Sequence, residues 1–194
     1  MDAGSQYALA YALTTSAGIR ALLPLALVSV AAHFGYVHPP QPFGWLGSTN
    51  VTAVLIGVAL LELFADKIPL LDHALHFVQV VTKPAAAAIL VAGTAHPQSH
   101  NVLVGLMVLG ALNALGIHAF TSSVRVASTA TTAGVANPFI SMLEDLAAIG
   151  VTVLAFVAPF IAAALCVLAV VILFRLARGT YRKVRVAAGH RNTP

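Results

Sequence analysis

The sequence predicts an all-α membrane protein, a polytopic bundle of about six spans with kinked or broken helices. Three observations carry this. Of the 194 residues, 59% are apolar and 8% are charged, with a mean hydropathy of +0.92; a water-soluble domain carries about 25% charged residues. The apolar residues gather in stretches matching the roughly 20 residues that a spanning helix needs. Prolines at 24, 69, 84 and 159 interrupt those stretches. Residues 1–178 are expected to form one transmembrane domain, with halves at 7–95 and 101–176 and a basic tail at 179–194.

The first apolar stretch covers 7–32. Thr14, Thr15, Ser16, Gly18, Arg20 and Pro24 interrupt it. A proline inside a helix removes a backbone donor and clashes with the preceding turn, so a kinked or broken helix is expected, with Arg20 near the break. The opening MDAGSQ has no basic residue, unlike a cleavable signal, and the first helix is expected to drive insertion. Residues 38–50, rich in Pro and Gly without Lys or Arg, suit an external loop. A second helix is expected over 45–65 and ends at Pro69. Leu70, Leu71, Ala74, Leu75 and Val78 then recur at helical spacing, giving an amphipathic segment. Pro84 is expected to start a short Ala-rich helix that continues upstream through 78–81.

The loop at 96–101 separates the halves. A helix follows over 102–120, with Gly105, Gly110 and Gly116 permitting close packing. Residues 121–138 are small and polar. Non-helical backbone at membrane depth is tolerated only inside protein or along a water-filled cavity, and part of this stretch is expected to do that. The apolar run 139–174 is too long for one span and is expected to turn at Pro159.

Six of the ten basic residues, Arg175, Arg178, Arg182, Lys183, Arg185 and Arg191, lie in the last 20 positions. A basic tail after an apolar helix reads as an anchor against anionic lipid, and with no basic-aromatic motif the reading excludes nucleic acid. Six spans then place both termini on the cytoplasmic side of a cytoplasmic (inner) membrane. Lys67, Lys83 and Arg125 fall on cytoplasmic connections, and Arg20 alone lies within a span. Cys166, in an apolar run, reads as a small buried hydrophobe.

The halves echo each other weakly. Residues 18–35 lie against 116–134, 60–69 against 141–150, and 82–93 against 157–168, with Glu62 opposite Glu144. Two three-helix halves would be inverted relative to each other, as in many transporters.

Five of the six acids sit inside or beside apolar stretches, as Glu62, Asp66 and Asp72 and as Glu144 and Asp145. Ionised groups in a bilayer are expensive and mark functional sites or internal pairs. Glu62 and Asp66 share a helix face at i, i+4 and repel unless a cation joins them. These acids are candidates to bind a cation or a proton. Arg20, Lys67, Lys83 and Arg125 supply four candidate partners, or donors for an anionic group, and His118 occupies the place of Arg20 in the second half. Asp72, His73 and His76 could coordinate a metal. Adjacent residues diverge on a helix, so only one of Glu144 and Asp145 is expected to face the cavity of Glu62. Asn137-Pro138 marks a helix start. No GxSxG, HExxH, Walker or CxxC motif is present.

The string ELFADKIPLLDHALHFVQVVTKPAAAAIL, with TTSAGIRALLPL and ANPFISMLEDLAA, resembles an uncharacterised bacterial membrane family, the domain of unknown function 4126, from about residue 7 to 178. Its most specific part is Glu62, Asp66, Lys67, Ile68, Pro69 and Asp72. The resemblance implies a small polytopic inner-membrane protein and no activity. Three functions fit: a transporter or carrier, dimeric for want of wall thickness, binding a cation or coupling to protons; an enzyme or flippase acting on a lipid phosphate held by Arg20, Lys67 and Lys83; or a non-catalytic scaffold.

Overall fold

Pro24 sets the first feature of the architecture. In a continuous helix its nitrogen would face the carbonyl of Arg20 without a hydrogen to donate. In the computed structural model of the chain, α1 (Ala3–Ile19) stops there, Arg20 is extended at φ −132°, ψ 118°, and α2 (Leu22–His33) starts again with Pro24 in its first turn. The structure describes residues 1–65 and 69–190; the side chains of 69–77, 176, 177 and 179–190 lie outside that description. Asp66 and Lys67 therefore fall outside the described residues, and Asp72, His73 and His76 are described only as helical backbone.

A 3-10 turn (Phe43–Gly47) leads into α3 (Thr49–Ala65). Then come α4 (Pro69–Thr94), α5 (His100–Thr132), α6 (Asn137–Val157) and α7 (Pro159–His190). The fold is all-helical, with seven α-helices and no strand among the described residues. Of these, α5 and α6 are long and apolar enough to cross a membrane.

The structure sharpens three expectations. Irregular backbone within 121–138 is confined to residues 133–136, because α5 runs unbroken to Thr132 and α6 starts at Asn137. Its hydroxyls bond back onto the same helix, Ser123 to Ala119 O, Thr129 to Arg125 O and Thr132 to Ser128 O. Small polar residues thus satisfy themselves there without an irregular chain. The helix ends where Ala133 and Gly134 take positive φ. The helix around Pro84 continues upstream through 78–81 as expected, so that Pro84 lies inside α4. The segment assigned to a basic tail continues α7 as far as His190. The break at Pro159 stands as expected, with Ala158 outside both helices; the expected break before Pro69 falls on 66–68, outside the described residues. The echoing segments differ locally: 18–35 contains the break, whereas 116–134 lies in α5 up to Thr132.

Helix α1 is the centre of the bundle, packed by α4, α5, α6 and α7, while α2 packs on α3. Its buried face is small: Ala12, Leu13 and Ala17 meet Ala86, Ala87 and Leu90 of α4, Ala114 of α5, Ala155 of α6 and Ala162 of α7. Large apolar side chains point outward instead, among them Leu61, Phe64, Leu109, Leu146 and Phe160. Small inside and large outside is the distribution of helices packed within lipid.

Gly18 marks the closest approach. A Cβ there would lie 2.6 Å from Ile117 Cβ and 2.8 Å from the Ala114 carbonyl oxygen, whereas a Cβ at Gly116 meets nothing within 4 Å. Gly18→Ala should destabilise the purified protein by about 1–3 kcal/mol, the usual cost of overpacking. Gly116→Ala should be neutral or raise stability by up to about 1 kcal/mol. Thermal unfolding in detergent checks both; equal behaviour would remove the assigned α1–α5 contact.

Candidate functional site

The break between α1 and α2 exposes two things that must be satisfied: a guanidinium in an apolar interior and the open amides of a helix start. Glu62, in the last turns of α3, answers the second. Its Oε1 accepts from the Ala21 amide at 3.2 Å and its Oε2 from the Leu22 amide at 3.0 Å. No local side chain caps α2. A carboxylate at a helix N-terminus also meets the positive end of the helix dipole, so the cap is supplied across the fold by an anion.

Helix α6 answers the first. Arg20 is 1% exposed. Its Nε lies 2.7 Å from Asp145 Oδ1 and its Nη2 lies 3.7 Å from Glu144 Oε2. The same Nη2 donates to Ser141 Oγ at 2.8 Å and Ser141 O at 3.2 Å. Both acids of α6 therefore reach Arg20. Relative to Ser141 they stand at i+3 and i+4, the two positions flanking one helix face, and a long arginine spans both. Arg125 of α5 holds the far side of Glu144, with Nη2 on Oε2 and Nε donating to Oε1 at 3.4 Å.

Lys83 of α4 and His118 of α5 form a further pair. Both are buried, and Lys83 Nζ lies 3.0 Å from His118 Nδ1. Lys83 is within electrostatic range of Glu144, Glu62, Arg20 and Arg125. The structure thus gathers Arg20, Glu62, Lys83, His118, Arg125, Glu144 and Asp145 at one level. Asp66, Lys67 and the side chains of Asp72, His73 and His76 lie outside the described residues; among the described residues no three His, Cys, Asp or Glu groups gather as metal ligands.

Polar residues that the sequence did not assign to the site complete the surroundings. Ser16 Oγ donates to Ala148 O at 2.9 Å and meets Thr152 Oγ1 at 2.9 Å. Asn113 donates to the hydroxyls of Thr14 and Thr15, each at 2.9 Å. Ser141, Ala148 and Thr152 recur at helical spacing along α6, a small-polar stripe legible in the sequence. Beside the cluster, a groove of about 220 Å³ between α5 and α6, lined by Phe120, Val124, Leu143 and Ala147, reaches Glu144.

Removing one partner of a buried ion pair strands the other. Asp145→Asn should cost about 3 kcal/mol, the low end for such losses because Glu144 stays near Arg20. Glu62→Ala should cost about 2 kcal/mol, the upper range for a lost cap, and Glu62→Gln about 1 kcal/mol, since an acceptor oxygen remains. Unfolding free energies in detergent check the order; an Asp145→Asn protein as stable as the parent would refute the pairing.

Comparison with curated proteins and with solved structures gives no match. A family model does match, over residues 7–179, a span that takes in the broken first helix, every residue of the charged cluster and the last apolar helix. On that match the chain belongs to the family described as Domain of unknown function (DUF4126).

Proposed function

We propose that this chain is a small membrane carrier that binds a cation or couples to protons at the charged cluster around the α1–α2 break. One observation carries the reading: three acids, from α3 and α6, converge with two arginines, a lysine and a histidine inside an otherwise apolar bundle. Charge at such depth has to be internally balanced, and a balanced cluster at an interrupted helix is a recurrent plan of carriers. The groove that reaches Glu144 supports access to the cluster.

In this reading α1 and α2 make one interrupted span, and α3 to α7 make five more. Both termini then lie on the cytoplasmic side of the inner membrane, with the basic end of α7 against anionic lipid. The three-plus-three order of elements favours two inverted halves. Six helices make a thin wall, which favours a homo-dimer.

The lipid-phosphate reading is the weaker one. Arg20 is 1% exposed and holds Asp145, Glu144 and Ser141, while buried Lys83 faces His118. Neither is directed at a headgroup. A scaffold whose acids merely pair with its bases makes a different forecast, loss of fold and not of flux.

Vesicles containing the whole chain, loaded with ion- and pH-sensitive dyes and given H⁺, Na⁺ or K⁺ gradients, test this. The parent should dissipate at least one gradient, and Glu144→Gln should slow it at least about tenfold, a barrier change of about 1.4 kcal/mol, with a cooperative melting transition still present although lowered by the weakened pair with Arg125. A parent that moves none of the three ions rejects the carrier.

A further inference from the structure

Apart from the charged cluster, a groove of about 350 Å³ lies where α1, α4 and α5 meet. Tyr7 and Tyr11 of α1, Val91 of α4 and Leu106 and Leu109 of α5 wall it, and Thr14 and Asn113 border it. None of these belongs to the cluster around Arg20, and no charged residue lines the groove among the described residues. Its size falls within the range of small-molecule sites, which combine apolar and aromatic walls with a few placed polar groups.

Asn113 is the placed polar group. Thr14 Oγ1 donates to Tyr11 O at 2.7 Å, and Thr15 Oγ1 donates to the same carbonyl at 3.4 Å. A hydroxyl carries one proton, so with that proton spent each threonine oxygen can only accept. This fixes which way the Asn113 amide faces: Nδ2 donates to both oxygens, each at 2.9 Å. Oδ1 is the other arm of the amide, and among the described residues nothing donates to it. Ser128 Oγ and Asn137 Oδ1 are buried without a partner, whereas Asn113 Oδ1 is not sealed in this way, and Asn113 borders the groove. It stands in the middle third of α5, a helix long and apolar enough to cross a membrane. In a bilayer a carbonyl oxygen there has no water to turn to, and it takes its donor from whatever fills the groove.

We propose that the α1–α4–α5 groove binds a single-chain lipid alcohol, with its hydrocarbon against the apolar wall and its hydroxyl donating to Asn113 Oδ1. Charge decides the head group. An ammonium or a carboxylate would enter a wall that offers it no counter-ion, whereas a neutral O–H supplies the one donor that Oδ1 takes. Volume decides the tail. At about 30 Å³ for each water-sized group, the 350 Å³ groove takes on the order of a dozen non-hydrogen atoms. That is one chain and not two, and a longer chain extends from the groove into the bilayer. The site is independent of the carrier reading, since it shares no residue with the charged cluster.

Phosphatidylcholine nanodiscs holding the whole chain test this. The probe is a primary alcohol of about twelve carbons, sized to the groove, with a diazirine in its chain. The control is its methyl ether, which keeps the hydrocarbon and has no donor. After illumination, peptides covering 7–14 and 106–113 should carry the alcohol at least about fivefold more than the ether, the ordinary net worth of one hydrogen bond. The same alcohol without the diazirine should compete the label away. Leu109→Trp fills the groove from an exposed position and leaves Asn113 in place; it should abolish labelling of both peptides and keep the parent melting transition. Asn113→Ala should bring the alcohol down to the level of the ether. Because it also removes the bonds to Thr14 and Thr15, the alcohol-to-ether ratio in the parent decides alone where that variant does not fold. Equal labelling by alcohol and ether, label spread evenly over the helices, parent-like labelling of Leu109→Trp, or no label at either peptide, as when a second copy of the chain covers the groove, each overturns the site. None of these outcomes bears on ion movement.

Discussion

A guanidinium buried to 1% exposure in a bundle of alanines and leucines has to be answered by anions, and the surrounding structure is arranged around that answer. Arg20 leaves α1 at the point where Pro24 forbids the helix to continue, so charge and chain break coincide. Helix α6 must then approach closely enough for Ser141, Glu144 and Asp145 to reach one side chain. Arg125 on α5 closes the far side of Glu144, which ties α5 to α6. Isolated, each of these charges would be untenable at depth; together they offset one another.

The same break creates a second obligation. A new helix start leaves amides open, and Glu62 supplies the acceptors from α3. The break is therefore held from two sides by two different acids with different tasks. One group of contacts neutralises a side chain, and the other caps a backbone. Small residues make this possible: Gly18, two positions before Arg20, lets α1 lie directly on Ile117 and Ala114 of α5. The cluster and the tight α1–α5 crossing are parts of one arrangement.

Much of the fold was legible in the sequence. The breaks near Arg20 and at Pro159 follow from proline chemistry alone, and the apolar stretches mark the helices. What misled was local polarity. Residues 121–138 carry so many hydroxyls that irregular backbone looked necessary, yet Ser123, Thr129 and Thr132 spend those hydroxyls on their own helix. The helix through Pro84 was legible, because the apolar residues 78–81 before it continue into α4.

The sequence by itself determined which residues had to find partners: six acids and ten bases in a chain of mean hydropathy +0.92 leave little freedom to ignore any of them. It also determined where the first helix must stop, because that depends on a ring and a missing hydrogen. Which acid meets which base was decided only by the tertiary structure. Ion pairing acts through space across separations of more than 100 residues, from Arg20 to Glu144 and Asp145, and helical periodicity ranks residues by face without saying which helix each face will meet. For the same reason, only the packing of α4 on α5 could bring Lys83 to His118, since no spacing along the chain encodes a contact between two bases.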